Sequence, residues 1–222
     1  MPIFRARDWM GRVFYQRCFY LFVALLVMVV VAPLAEATTT NRIAFNALQL
    51  FVLVAAVAAV GRGPTPFVAA ALLALPAFGF QVIGLLEADH EILVRAWIFT
   101  AMFDMLVVGY LLQYVFREDV MTADKLYGAA AAYIMIAVLF TYLFGLVQEY
   151  SPGALSVGGE VRVAEFREIV YFSITVLTST GFGDIVPVAP LARSLVVLEQ
   201  LVGVLFTAIL VARLAGVYPV KR

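Results

Sequence analysis

The sequence is poor in the residues that do chemistry. It holds one cysteine, Cys18, and one histidine, His90, in 222 residues. One cysteine excludes a disulfide framework and a cysteine-built metal cluster, and one histidine excludes a multi-histidine metal site. No nucleophile and base stand out as a pair, so the sequence implies no enzyme, no cofactor and no soluble substrate. Charge is scarce too. Only 14% of the residues are charged, against about 25% in soluble domains. Basic and acidic residues balance at 15 each, so no net field points to nucleic acid or another polyanion. A soluble enzyme, a disordered chain and a nucleic-acid binder are excluded. Cys18 reads as a plain residue at an apolar edge, and His90 as a solvated loop residue.

What is abundant is apolar surface, at 64% of the residues. At about 20 residues per membrane-spanning helix, the length accommodates six spans with short connections. Apolar runs occur at 18–35, 43–60, 67–86, 92–116, 126–147 and 191–217. The fold class expected is an all-α membrane protein. Arg5, Arg7, Arg12 and Arg17 precede the first run, which ends at Ala35-Glu36-Ala37 like a signal peptide. That run is longer than a usual signal core, so it reads as the first span. With the N-terminus inside, ten of the 15 Lys and Arg residues fall on the side of the termini. That bias predicts an inner-membrane protein with both termini cytoplasmic.

Residues 148–190 break the pattern. Ser151-Pro152-Gly153 and Gly158-Gly159 read as loop. Residues 163–178 then read as an amphipathic helix too short to span, with Glu165 and Glu168 near its start. A short apolar helix followed by a glycine-rich turn suggests a re-entrant segment. In Thr178-Ser179-Thr180-Gly181-Phe182-Gly183-Asp184, the glycines permit positive φ, so that consecutive carbonyls can face one side. Such a strand has to line a polar axis and not lipid.

Tyr171 to Pro187 resembles the pore of potassium channels, and the chain as a whole resembles a bacterial six-helix potassium channel. The resemblance implies a homotetramer, since each chain carries one such loop and four are needed to ring an ion. It implies K+ as permeant ion at the carbonyls of Ser179, Thr180, Gly181 and Phe182. The filter would end at Gly183. Asp184 would bond toward the pore helix, and Tyr171 and Phe172 would form the aromatic cuff. Thr175, Thr178 and Glu199 support the filter, Glu199 by bonding Ser173 or Thr175. Gly203 matches the inner-helix hinge, and Val204, Thr207 and Val211 share the face expected to line the cavity. Arg213 falls on the opposite side, away from the axis. Three positions depart from the family pattern. Ser179 stands for threonine, Thr180 for valine and Phe182 for tyrosine, which puts selectivity in doubt.

The domain plan expected is a cytoplasmic segment 1–17, a four-helix domain 18–116, a connector 117–125, a pore domain 126–217 and a tail 218–222. The pore domain would hold the pore helix 163–178, the filter 179–183 and the inner helix 191–217. The fourth run carries one basic residue, Arg95, and a voltage sensor needs a ladder of them. Strong voltage gating is not expected. Asp104, mid-helix, is expected to bond Asn46 or Gln49 or to pair with Arg95. The alanine stretch Gly128–Ala132 is expected to pack on the inner helix. A less selective monovalent cation channel is the alternative reading, and a non-conducting scaffold or transport subunit a remote one. Partners are three identical subunits and membrane lipids.

Overall fold

The computed structural model describes residues 17–34, 39–60, 64–87, 90–117 and 120–217. The rest of the expected N-terminal segment and the expected tail lie outside the described residues, as do Ala35 of the first run and the side chain of His90, whose backbone opens α4 and is not in a loop. The order is α1 (Arg17–Val31), a 3-10 turn (Ala32–Leu34), α2 (Thr39–Val60), α3 (Pro64–Glu87), α4 (His90–Val115) and α5 (Ala123–Tyr150). Then come β1 (Leu155–Val157), β2 (Glu160–Val161), α6 (Phe166–Leu177), β3 (Ile185–Pro187) and α7 (Pro190–Val217). All six apolar runs are helical. Four reach spanning length and hydropathy, at Thr65–Gly84, Glu91–Val115, Ala123–Tyr150 and Pro190–Gly216. α1 and the apolar part of α2, Phe45–Ala59, are shorter. The chain is a mostly helical membrane protein.

Local chemistry sets the helix ends. Thr122 caps α5 by accepting from the Lys125 amide at 3.3 Å, so the helix starts at Ala123 and the connector ends before residue 125. Pro190 opens α7, where a missing amide hydrogen costs nothing. Glu168 opens the pore helix by accepting from the Glu165 amide at 2.8 Å.

α5 is the centre. It is apolar all round, as a helix buried by neighbours must be, and 72% of its central window is buried. It packs against α1, α4, α6 and α7. Gly128, the first of the small residues near its start, does not face the inner helix as expected. A Cβ on Gly128 would stand 3.3 Å from Cys18 Sγ and 3.4 Å from Val115 Cγ2. This is the seam with α1 and α4. Cys18 is therefore fully buried and not an edge residue. Contact with α7 comes lower on α5, where the Tyr133 and Phe206 rings meet at 5.4 Å.

The stretch read as loop holds a three-stranded antiparallel sheet in the order β2-β1-β3. Gly158 and Gly159, at φ 61° and 89°, form the tight turn between β1 and β2. Val157 pairs with Glu160 on one side and with Ile185 on the other. β3 follows the candidate filter directly, so the sheet fixes the filter's far end to the segment that leaves α5.

Candidate functional site

The short helix α6, the candidate pore helix, ends at Leu177, and the backbone then turns back on it. Ser179 N donates to Val176 O at 2.9 Å, Thr180 N to Thr175 O at 2.8 Å, and Gly181 N to the same oxygen at 3.3 Å. A trans peptide carries its N–H and C=O in opposite directions, and the described chain has no cis bond. Three amides aimed into the helix end therefore aim three carbonyls, those of Thr178, Ser179 and Thr180, away from it. Backbone hand then alternates. Ser179, Gly181 and Gly183 have φ of 56°, 53° and 81°, and Ser179 is the one described non-glycine residue with positive φ. Alternating hand keeps successive carbonyls on one side, where an ordinary strand would alternate them. Residues 178–184 are all exposed in the single chain. The positive φ at Ser179 had no sequence signal, because only glycine announces that conformation.

The support around this loop is dense. Thr178 Oγ1 donates to Ile174 O at 2.8 Å and lies 2.8 Å from Thr180 Oγ1. Thr175 Oγ1 is turned back to Phe172 O at 2.8 Å. Tyr133 of α5 donates its hydroxyl to Leu177 O at 3.2 Å, a tie the sequence did not disclose. Phe182 has no hydroxyl to offer, and its ring stacks on Tyr171 at 6.3 Å and 6°. Phe172 is buried against Phe144, with ring centres 5.0 Å apart. The Asp184 carboxylate acts on the Tyr171 hydroxyl, and its backbone carbonyl accepts from Gly158 N at 2.8 Å.

Glu199 takes the first of its two expected partners. Ser173 Oγ stands 2.5 Å from Glu199 Oε1 and 2.7 Å from Ala137 O. One hydroxyl thus joins α5, α6 and α7 at a point shielded from solvent. Gly203 lies against the Leu177 carbonyl so closely that a Cβ there would overlap it. Only glycine lets the inner helix pass the end of the pore helix at this distance. Val204 and Val211 are 56% and 59% exposed, and Thr207 Oγ1 donates to Gly203 O at 3.0 Å, so the expected cavity face is open. Arg213 points the other way, donating to Phe116 O at 2.8 Å and to Arg117 O.

Two further anchors hold the entrance of α6. Gln148 bonds both backbone groups of Ala164, accepting at 2.6 Å and donating at 3.3 Å. Arg162 binds Glu168 with both terminal nitrogens, at 2.8 and 2.6 Å. This pairing holds the Glu168 carboxyl below the usual carboxylate range. The first residue of the pore helix, Phe166, sits among Phe45, Trp97 and Tyr142 at centroid distances of 6.1, 6.1 and 5.7 Å. The front helices therefore touch the pore helix through aromatic rings.

Asp104 is not bonded by Gln49 or Arg95, two of its three expected partners. It is 3% exposed, and Oδ2 has no hydrogen-bond partner among the described residues. Gln49 instead donates to the Tyr142 hydroxyl at 3.3 Å, and Arg95 pairs with Glu91 one turn away at 3.1 Å. No cluster of metal-binding side chains occurs among the described residues.

No curated protein and no solved structure matches the chain. Residues 129–218 match the family model described as an ion channel. The match covers less than half of the chain and runs from the first turns of α5 through the end of α7. It contains every residue of the loop, its supports and the open face of α7, and it indicates a channel domain in a membrane protein and not an enzyme.

Proposed function

We propose that the chain is one subunit of a homotetrameric, potassium-selective channel that passes K+ passively across the inner membrane, both termini being cytoplasmic. The observation that carries this reading is the exposed backbone of residues 178–183, with carbonyls turned off the pore helix and alternating hand. Exposed irregular backbone at membrane depth is tolerable only along a polar axis. One chain supplies one wall of that axis, and four copies around it form rings of oxygens that replace a cation's water. The C-terminal, negative end of α6 then points at the axis and favours a cation there. The apolar exposed face of α7 finds its cover in the neighbouring copies and in the cavity.

Voltage has little purchase on this chain. Arg95 is the one arginine or lysine in α4, and it is already paired with Glu91. At about 2.3 kcal/mol per charge per 100 mV, one charge per subunit gives a shallow dependence.

The test is a reversal potential in a planar bilayer with potassium on one side and sodium on the other. A value near the potassium equilibrium potential supports a selective filter at Ser179–Gly183. A value near zero with measurable current replaces it with a less selective monovalent cation channel, the reading that Ser179, Thr180 and Phe182 favour. A monomeric native mass in detergent overturns both and leaves a scaffold or transport subunit.

A further inference from the structure

Outside the candidate filter, two adjoining hollows run along the outer side of α4. The first, of about 420 Å³, lies between α3 and α4 and is walled by Leu73, Met105 and the bare backbone of Gly109. The second, of about 280 Å³, continues it toward the end of α4 and reaches Arg117. The two share Tyr110 and Gln113, so they form one slot with an apolar upper part and a polar lower end.

The polar end is under-satisfied. Gln113 is exposed and its amide has no hydrogen-bond partner among the described residues, nor has the Tyr110 hydroxyl or the exposed Arg117 guanidinium. Tyr110 and Gln113 lie about one turn apart on α4, and Arg117, two residues beyond the helix end, joins them in lining the slot. The described acid nearby, Asp124, is engaged by the Tyr114 hydroxyl at 2.8 Å and the Cys18 amide at 3.0 Å. Among the described residues, the slot's lower end therefore presents neutral donors and positive charge, beneath an apolar part.

We infer that this slot binds an anionic glycerophospholipid, with an acyl chain along Met105 and Gly109 and the headgroup phosphate against Tyr110, Gln113 and Arg117. Basic pockets between membrane helices near the interface recognise anionic headgroups in this way. The apolar part selects a lipid over a free phosphate ion, and Arg117 selects an anionic headgroup over a zwitterionic one. The inference needs the chain to sit in a membrane and does not depend on conduction.

Two variants separate the two halves of the slot. Arg117→Gln removes the charge but leaves intact the bonds that Lys125 and Arg213 make to the Arg117 backbone carbonyl. Gly109→Leu fills the apolar part, and a Cβ at Gly109 meets nothing within 4 Å, so the fold accepts it. Native mass spectrometry of the full chain in detergent, titrated with phosphatidylglycerol or phosphatidylcholine, reads both. The parent is expected to bind phosphatidylglycerol more tightly than phosphatidylcholine. Arg117→Gln should cut that preference about fivefold, the factor that ~1 kcal/mol per surface arginine corresponds to. Gly109→Leu should weaken both lipids together. Unchanged phosphatidylglycerol binding in both variants overturns the inference. A Gly109→Leu chain with parental lipid binding and an altered oligomeric state also overturns it, and assigns the slot to a second copy of the chain.

Discussion

The two parts of the molecule are held together by different means. From α5 to α7, polar side chains stitch helix to helix and helix to loop. Ser173 joins three helices, Gln148 satisfies both backbone groups of Ala164, and Tyr133 holds Leu177. From α1 to α4 the packing is mainly apolar, with isolated polar contacts such as Gln81 to Thr100 at 3.3 Å; buried atoms without a partner among the described residues occur in both parts, at Asp104 Oδ2 in the first and at Glu199 Oε2 and Arg213 Nε in the second. The difference follows from the backbone each part has to hold. Continuous helices satisfy their own amides and carbonyls and need only apolar neighbours. A loop at membrane depth does not, so fixed side-chain partners gather around it. Exposure alone misses the distinction, since α3 and α7 are 11% and 17% buried in their central windows. On our reading one faces lipid and the other faces its own copies.

The largest expected effect is at the loop itself. Gly181→Ala places a side chain at φ +53°, a conformation that costs a non-glycine residue about 1–2 kcal/mol, repeated in every subunit. We expect potassium current to vanish while the protein remains helical by circular dichroism. Normal current would remove Gly181 from the filter.

Next come the stitches. Ser173→Ala leaves the buried Glu199 carboxyl and the Ala137 carbonyl without their shared partner, a loss of about 1–3 kcal/mol. Thr100→Val in the front part removes a local bond to Ala96 O at 2.8 Å and the longer, part-buried contact from Gln81 at 3.3 Å, and should cost about 0.5–1.5 kcal/mol, the range of ordinary neutral hydrogen bonds. Thermal unfolding in detergent compares the two, and equal shifts would break the contrast between the parts. Gln148→Leu orphans both backbone groups of Ala164, with a loss of about 1–3 kcal/mol. It is expected to loosen the entrance of α6, read as faster amide exchange at residues 164–168.

The smallest effect is the pH dependence of the Arg162–Glu168 pair. Glu168 titrates lower in the folded state than in an unfolded chain. Its contribution is therefore full above the unfolded carboxyl value, about 4.3, and fades as pH falls through the folded one. Arg162 is 40% exposed in its side chain, so solvent screening keeps the contribution small. Arg162→Gln should flatten the stability profile below pH 5. An identical acid limb in the variant would show that the pair contributes nothing.

Much of this was legible in the sequence. All six helical runs follow from apolar length, and the loop's place follows from Gly181, Gly183 and a helix too short to span. The Ser173–Glu199 contact was readable because a carboxylate buried in an apolar helix needs a partner. What escaped was of three kinds. β1, β2 and β3 have two or three residues each, too few for a period to register, although two adjacent glycines at 158 and 159 are a hairpin signal. Gly128 was assigned to the wrong neighbour because small residues announce close approach but not by which helix. Gln49 and Arg95 went to partners other than Asp104, since a pairing across helices depends on rotation about each axis.

The contact at Gly203 has a mechanical consequence. The inner helix is pressed to the pore helix at that residue, and 14 residues run from there to the helix end at Val217. At 1.5 Å per residue, this is a lever of about 21 Å. Arg213 grips the end of α4 at ten residues along it, about 15 Å from the fulcrum. A tilt of about 10° would carry that grip through roughly 2.6 Å, more than a hydrogen bond can stretch. An outward swing of the helix end beyond the reach of that side chain would break the Arg213 bonds at the connector, far from the candidate filter.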